Sequence, residues 1–531
     1  MADAVQTPHQ RIQGSSLARN GRLRASRLWA RCRDLLPRLS TRADGFNNTA
    51  MLVRLEGSGC PVCHSVDQHD QQFFFWFFSE SYQDIAALGQ FTNSLGFCRW
   101  HATSLMERVG SRSQLGHVHH FASSRLIRKL SEQSLGEPFT APGTCPVCQS
   151  RAENMERAAF FLSRILHDPE NAHRYGNPSM MCVPHLRDVA LSASDVVFER
   201  LLEMHHVALH SAAAALLPIS GQRSADDGAI HHVLRLALGE DERLSCLPGF
   251  AEETEANLSE RWLDPIGRLA AEVRDPLQCP VCREVRRAWI EWMAGLDRTA
   301  SNAEPIDDLL PTCGEHAWAA VRSGSRLLAM AVTANALRVA QESLDSAAKQ
   351  LGVPPDSHPA GIKRWLNRAG GARATRLKGA RVAIAHIRSC PVCARMRRAE
   401  DSALRLLFAL LGKSYHRDEF EAGYGLCLKH FGRALQLGPE PTTRNFLIAA
   451  ELAELRRLEW ELGESLRKLA WDVRAETIGT EDDAPFRALH RFAGLLQPSR
   501  AGTALGSGVE SPTRRGALRP ISAESSPSIS S

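Results

Sequence analysis

The fold of this chain is decided by the stretch from Cys60 to His101, CPVCHSVDQHDQQFFFWFFSESYQDIAALGQFTNSLGFCRWH. It begins with the motif CPVC and ends with the motif CxxH, and 34 residues separate the two. The same two motifs return three more times, separated by 33, 30 and 33 residues: CPVC at 145–148, 279–282 and 390–393, and CxxH at 182–185, 313–316 and 427–430. Twelve of the 14 cysteines lie in these motifs, and only Cys32 and Cys246 lie outside them.

Three cysteines and one histidine are the ligands of a tetrahedral zinc site, in which thiolates bind at about 2.3 Å and imidazole nitrogen at about 2.0 Å. The proline of CPVC fixes part of the turn that presents two thiols to one metal. We therefore predict that each CPVC shares one Zn²⁺ ion with the CxxH that follows it. Four protein ligands close the coordination sphere, so the four predicted sites are structural rather than catalytic. The predicted ligands are Cys60, Cys63, Cys98, His101, Cys145, Cys148, Cys182, His185, Cys279, Cys282, Cys313, His316, Cys390, Cys393, Cys427 and His430.

Other uses of the cysteines explain the pattern less well. Disulfides would leave the four histidines without a role, and an intracellular chain is kept reduced. A thioredoxin-type CxxC needs a βαβ setting that the sequence lacks. CPVCH at 60–64 matches the attachment motif of c-type haem, but Gln149, Arg283 and Ala394 replace His64 in the other copies. An iron–sulfur cluster remains an alternative to zinc, and the colour of the purified protein would decide between them.

The residues between the motifs have the spacing of helices. After Cys282, the apolar residues Val285, Trp289, Trp292 and Leu296 recur at intervals of four, three and four. This spacing places them on one face of an α-helix. A run without helix breakers also follows each CxxH, and no stretch has the period of a strand. The sequence therefore predicts an all-α protein of zinc-stapled helical modules, in which each metal joins the starts of two helices.

The order of the motifs predicts two tandem modules with two zinc sites each, at 51–217 and 276–478. A helical connector at 218–275 joins them. A basic extension at 1–50 and a tail at 479–531 flank them. We expect the extension to be disordered. We also expect disorder in the tail from about residue 498 onwards, because aromatic residues are absent there and Ser, Gly and Pro are frequent.

In this chain CPxC is followed some thirty residues later by Gly, an apolar residue and CxxH. This arrangement resembles the bacterial DUF6062-like proteins, small helical proteins of uncharacterised function. GFCRWH at 96–101 and GLCLKH at 425–430 fit this pattern, whereas MMCVPH and PTCGEH lack the leading glycine. That difference concerns the local turn and not the ligands. The resemblance implies helices and bound zinc, and it implies no activity.

The formal net charge of +5 is unevenly distributed. Residues 1–50 contribute +6 and residues 357–388 contribute +8, so the rest of the chain is acidic. Each site of three thiolates and one Zn²⁺ would add a further negative charge. This distribution excludes a generally basic surface and leaves 357–388 as the candidate for binding nucleic acid or another polyanion. The candidate residues are Lys363, Arg364, Arg368, Arg373, Arg376, Lys378 and Arg381.

Two further patterns favour structural roles over binding roles. The aromatic hexad from Phe73 to Phe78 would surround a helix, which favours burial in the core or at an interface over a ligand groove. The histidine pairs at 119–120, 205–206 and 231–232 favour surface or hydrogen-bonded histidines over a second metal site. The sequence contains no GxSxG, P-loop, HExxH or dinucleotide fingerprint, so no enzyme class is supported.

These observations favour a structural-zinc scaffold that binds a protein partner. Nucleic-acid binding through 357–388 and an enzyme with a pocket near 73–78 are the alternatives. No apolar run is long enough to cross a bilayer, and the Arg-rich start lacks the apolar region of a secretory signal. We therefore expect a cytoplasmic protein without membrane contact.

Overall fold

The structure of the chain is a computed structural model, and the prediction of an all-α fold is confirmed. Across the described residues the secondary structure is helical, and no strand occurs among them. None of the described helices is both long and apolar enough to cross a membrane. The structure describes residues 50–108, 112–132, 138–139, 141–172, 175–176, 180–216, 227–239, 264–302, 309–323, 325–351, 373–385, 389–473 and 476–494. The predictions of disorder at the two ends of the chain lie outside these residues.

The longer helices are numbered here in chain order. They are α1 (Pro61–Trp76), α2 (Ile85–Asn93), α3 (Arg99–Arg108), α4 (Arg112–Ser131), α5 (Pro146–Ile165), α6 (Val183–Ser192), α7 (Asp195–Leu216), α8 (Asp227–Leu238), α9 (Pro265–Val273), α10 (Pro280–Ser301), α11 (Gly314–Ser323), α12 (Arg326–Gln350), α13 (Arg373–Ala385), α14 (Pro391–Leu411), α15 (Ser414–Ala422), α16 (Leu428–Leu437), α17 (Pro441–Arg467) and α18 (Ala484–Ala493).

Each CPVC motif begins a helix. Its first cysteine is the N-cap residue and its proline is the first helical residue in α1, α5, α10 and α14. Proline is favoured at this position because its fixed φ suits the helix and its missing N–H is not needed. In α1, Sγ of Cys60 also accepts a hydrogen bond from the backbone N–H of Cys63 at 3.4 Å. Each CxxH motif likewise stands at the start of α3, α6, α11 or α16.

The two CPVC helices of each half run antiparallel. Between α1 and α5, Asn154 donates to the backbone oxygen of Ser65, and Arg151 contacts Asp70, so residue numbers rise in opposite directions. In the second half, α10 packs against α14. Glu400 of α14 contacts His430 beside Cys279 at the start of α10, whereas Cys393 at the start of α14 lies with His316 beside Trp289 further along α10, so this pair is antiparallel too. Each helix therefore leads away from its own CPVC motif and towards the start of its partner.

The hydrophobic cores are built from both halves of the chain. One core joins the start of α1 and the end of α5 to α6, α7 and α8, and also to α12 and α13. A second core joins α2 and α4 to the end of α14 and to α15–α18. A third, smaller core surrounds Trp289 and Leu328. The boundaries of the two tandem modules stay a prediction, and the cores cross those boundaries.

The tail that we predicted from residue 479 contains α18, which is part of the second core. Phe492 is fully buried and stacks on Phe91 with 6.0 Å between ring centroids. Arg491 forms a buried ion pair with Glu451 of α17, at 2.8 Å between Nη2 and Oε2. Helix α18 therefore closes the core over α4 and α17.

The aromatic hexad is partly buried, so its predicted burial in the core holds for one face of α1. Phe74, Phe77 and Phe78 lie in the second core. Phe75 and Trp76 are 72% and 46% exposed, so they do not belong to the buried face of α1.

Candidate metal centres

All sixteen predicted ligands come together in four groups of three cysteines and one histidine. Within each group the candidate ligand atoms lie within 4.8 Å of one another. Site A is Cys60, Cys63, Cys182 and His185; site B is Cys98, His101, Cys145 and Cys148; site C is Cys279, Cys282, Cys427 and His430; and site D is Cys313, His316, Cys390 and Cys393. These are the only such groups of His, Cys, Asp and Glu in the part of the chain that the structure describes.

The predicted pairing of the motifs is wrong in all four sites. We expected each CPVC to share a metal with the CxxH that follows it. Instead, the first CPVC joins the second CxxH in site A, and the second CPVC joins the first CxxH in site B. Sites C and D exchange their partners in the same way. The two sites of each half are therefore interleaved along the chain.

Helix length explains this exchange. Helix α1 has 16 residues, so it carries the chain about 24 Å away from Cys60. The chain meets the next CxxH at that far end, beside the start of α5. Helix α5 then runs back along α1 and brings the following CxxH to Cys60. The antiparallel helix pair thus has one site at each end.

The distances within the groups fit a tetrahedral metal ion. With zinc bond lengths of about 2.3 Å to sulfur and 2.0 Å to nitrogen, tetrahedral angles place two sulfurs about 3.8 Å apart and a sulfur about 3.5 Å from the nitrogen. One Sγ–Sγ pair lies at 3.6 Å in site B, and one pair in each of sites A, C and D lies at 3.8 Å. The Sγ–Nδ1 distances run from 3.1 to 3.9 Å. A disulfide would need about 2.05 Å between the sulfurs.

All four histidines use the same ring nitrogen. Nδ1 faces the sulfurs in each site, as in the 3.2 Å contact between Cys98 and His101 and the 3.1 Å contact between Cys313 and His316. The donor set of three sulfurs and one nitrogen suits zinc or an iron–sulfur cluster. It offers four protein ligands, so it closes a tetrahedral coordination sphere.

The thiols are too close together to be thiolates at once without a cation. The hydrogen bond between Cys145 and Cys148 lowers the pKa of the first thiol far below its ordinary value and raises that of the second far above it. Burial tends to lower the pKa of His101, but its contact with Asp70 and the thiols raises this pKa to about 11. A divalent cation would stabilise three thiolates and displace the proton from Nδ1. Metal binding therefore releases protons.

The sites differ in how well they are covered. In sites A and C all three cysteines are buried. In site B, Cys98 and Cys148 are half-buried, and in site D, Cys313 and Cys393 are half-buried. Among the described sites, A and C thus have buried sulfurs and a half-buried histidine, whereas B and D each have two half-buried sulfurs and a buried histidine.

The second ring nitrogen of three histidines has a side-chain contact that sequence reasoning missed. Nε2 of His101 lies 3.5 Å from a carboxylate oxygen of Asp70, and Nε2 of His430 lies 3.5 Å from one of Glu400. Nε2 of His316 lies 3.1 Å from Sδ of Met396. Asp70 and Glu400 each lie ten residues after the first cysteine of a CPVC motif. That common spacing is visible in the sequence. With the motifs paired wrongly, however, it did not indicate that these carboxylates contact the histidines of the other site.

Some cations of the predicted polyanion-binding segment form ion pairs within the chain. Lys363, Arg364 and Arg368 lie outside the described residues. Arg373 pairs with Glu199 at 2.7 Å.

Arg381 of the same segment pairs with Asp195 at 2.8 Å and lies 4.7 Å over the ring of Phe198. Arg376 and Lys378 are exposed. Two of the four described cations therefore fasten α13 to α7.

Two described cavities lie away from the aromatic hexad. An open cleft of about 930 Å³ lies between α7 and α8 and reaches Cys60 and Tyr175. A smaller cavity of about 230 Å³ lies beside Arg491 and Glu451. Residues 73–78 line neither, so these cavities give no support to a pocket near the hexad.

Two of the histidines considered for a second metal site are hydrogen-bonded within helices. Nδ1 of His119 lies 2.8 Å from the carbonyl oxygen of Leu115, and Nδ1 of His205 lies 2.7 Å from that of Leu201. Both side chains are buried. These contacts are those of core histidines that bond the preceding helical turn.

Comparisons of this chain with protein-family models, with curated proteins and with solved structures find no match. The resemblance to DUF6062-like proteins accordingly stays a prediction. What is established is a helical protein with four Cys₃His groups that could hold metal ions.

Proposed function

We propose that this protein binds four Zn²⁺ ions in structural sites and acts as a helical scaffold for a protein partner. The observation that carries the proposal is the closed, tetrahedral donor geometry of all four groups. A catalytic zinc site keeps one position open for water or substrate. Here a cysteine or histidine of the chain stands at each of the four positions.

The placement of the sites supports a structural role. Site A ties the starts of α1 and α6 together, and site C ties the starts of α10 and α16. Helix starts carry partial positive charge, which favours the thiolates. Zinc binding in sites of this kind is worth about 10–16 kcal/mol in apparent free energy and is coupled to folding. Four such ions would hold the interleaved helices in register.

Metal analysis of the purified full-length chain tests the zinc proposal. We expect about four zinc ions per chain and a colourless protein. Iron with visible absorption would show iron–sulfur clusters instead, and well under four metal ions per chain would contradict the structural role. The variant Cys246→Ser is the matched control, because Cys246 is outside the motifs and its loss should leave the zinc content unchanged.

Exposed apolar side chains support the partner proposal. Phe75, Trp76 and Ile85 are 72%, 46% and 71% exposed. Aromatic residues of this kind are enriched in protein interfaces. The nucleic-acid alternative has less support, because Arg373 and Arg381 already form ion pairs within the chain.

Affinity purification with mass spectrometry tests the partner proposal. The wild type is compared with Cys279→Ser/Cys282→Ser, which removes two ligands of site C, and with Phe75→Ser/Trp76→Ser, which leaves all sites intact. We expect one specific protein with the wild type and its loss with both variants. Recovery of no specific protein would contradict the scaffold proposal, and recovery of nucleic acid alone would favour the alternative.

A further inference from the structure

We propose that Asp70 and Glu400 are positioning residues that orient His101 and His430 for metal binding. We further infer that site D, which has a thioether in place of a carboxylate, releases its ion first. This inference rests on the proposed zinc binding and adds an order of stability among the sites. It would make site D responsive to free zinc while the sites held by carboxylates stay loaded.

Asp70 is held in place to receive the second nitrogen of His101. Its side chain is buried, and Arg151 forms an ion pair with the same carboxylate oxygen, Oδ2, that faces His101. Nε2 of His101 is itself buried and lies 3.5 Å from this oxygen. A neutral histidine that binds metal through Nδ1 carries its proton on Nε2. The nitrogen that carries this proton lies 3.5 Å from Asp70, within range of its negative charge although not hydrogen-bonded to it here, and that charge strengthens the imidazole as a ligand.

Glu400 has the equivalent place in the second half. Its carboxylate oxygen lies 3.5 Å from Nε2 of His430. The next residue, Asp401, faces Arg433 instead, with two contacts of 2.9 Å. In both halves the carboxylate therefore comes from a CPVC helix whose own cysteines belong to the other site. Each helix contributes ligands at its start and an outer contact about 15 Å further along.

In site D, the histidine nitrogen that faces away from the sulfurs contacts a different kind of group. The position ten residues after Cys279 is Trp289, whose ring lies 5.0 Å from that of His316. Nε2 of His316 lies 3.1 Å from Sδ of Met396. A thioether is a weak hydrogen-bond acceptor without charge, so it stabilises the ligating imidazole less than a carboxylate does. Cys313 and Cys393 of site D are also half-buried, which gives a chelator access to the ion.

Zinc release from the loaded full-length chain to an excess of a colorimetric chelator tests the inference. We expect the first ion to come from site D, so that Cys313→Ser removes the fastest phase. Asp70→Asn should accelerate the release of one further ion by about 10- to 100-fold, and Glu400→Gln that of another, as outer-contact substitutions do. The matched controls are Asp67→Asn and Asp401→Asn. Asp67 also bonds Arg151, and Asp401 adjoins Glu400.

The outcomes separate this inference from the proposed function. A chain without four zinc ions would contradict the zinc proposal itself. Four bound ions with equal release from Asp70→Asn and Asp67→Asn would overturn the positioning role alone. Acceleration of all four ions together in Asp70→Asn would show general destabilisation and would also overturn it. A fastest phase that persists in Cys313→Ser would overturn the assignment of the labile site.

Discussion

The interleaved pairing of the motifs can be tested by counting ions in double variants. Cys60 and Cys182 belong to one site in the structure, whereas Cys60 and Cys98 belong to two. If the pairing is right, Cys60→Ser/Cys182→Ser loses one ion and keeps about three. Cys60→Ser/Cys98→Ser loses two ions and keeps about two.

The structure and the energy of zinc binding give the size of the effect. Nδ1 of His185 lies 3.4 Å from Sγ of Cys60 and 3.1 Å from Sγ of Cys182, so both thiols face one position. If about 10–16 kcal/mol is shared among four ligands, one thiolate is worth about 2.5–4 kcal/mol. This loss corresponds to an affinity about 70- to 900-fold weaker. A chelator of intermediate affinity will therefore remove the ion from a damaged site and leave intact sites loaded.

The assay is metal content after incubation with such a chelator and desalting. Single variants at Cys60, Cys98 and Cys182 should each keep three ions, and Cys246→Ser should keep four. Three ions in Cys60→Ser/Cys98→Ser together with two in Cys60→Ser/Cys182→Ser would refute the interleaved pairing and restore the pairing of neighbouring motifs. Urea unfolding of each variant checks that the fold is retained.

Three further predictions concern the core around the sites. Burial lowers the pKa of His119 to about 4, so its stabilising effect is present above its ordinary pKa of about 6.5 and is lost as the pH falls towards 4. Between pH 7.5 and 5 the wild type should lose about 2 kcal/mol more stability in urea titrations than His119→Leu, and equal losses would contradict this. Arg491→Met should cost about 3–5 kcal/mol because it leaves Glu451 buried without its partner, and adding Glu451→Leu should recover much of that loss. Gly494→Ala should weaken zinc binding at site C, since the added Cβ would lie 2.9 Å from Sγ of Cys427. Gly438→Ala has a similar positive φ but no such neighbour, so it should change stability without loss of zinc.

Much of the site could be predicted because its chemistry is local. Cysteines three positions apart, with proline between them, form a helix start that presents both sulfurs to one point. The same holds for the cysteine and histidine of CxxH. The sixteen candidate ligands and the helices that follow them therefore depend on neighbours in the sequence. The period of Trp289 and Leu296 likewise depends on one helix face.

The pairing of the motifs could not be read from the sequence. A gap of 30 to 34 residues is long enough for one helix and a return, and equally long enough for one helix that does not return. The exposure of Phe75 and Trp76 could not be predicted for a similar reason, because composition alone cannot show which residues of the hexad face away from the core. Helix α18 lies in the predicted tail, and only its tertiary contacts, including the buried ion pair of Arg491 with Glu451, show that it belongs to the second core.

The sequence by itself determined the helical class, the sixteen Cys and His ligands, and where each CPVC helix begins. Those properties depend only on residues within one helix or at its start. Only the tertiary structure decided which motifs share a site, that Asp70 and Glu400 reach the histidines of the opposite site, and that both halves share their cores. These relations depend on the antiparallel packing of helices that are far apart in the chain, and no local spacing encodes that packing.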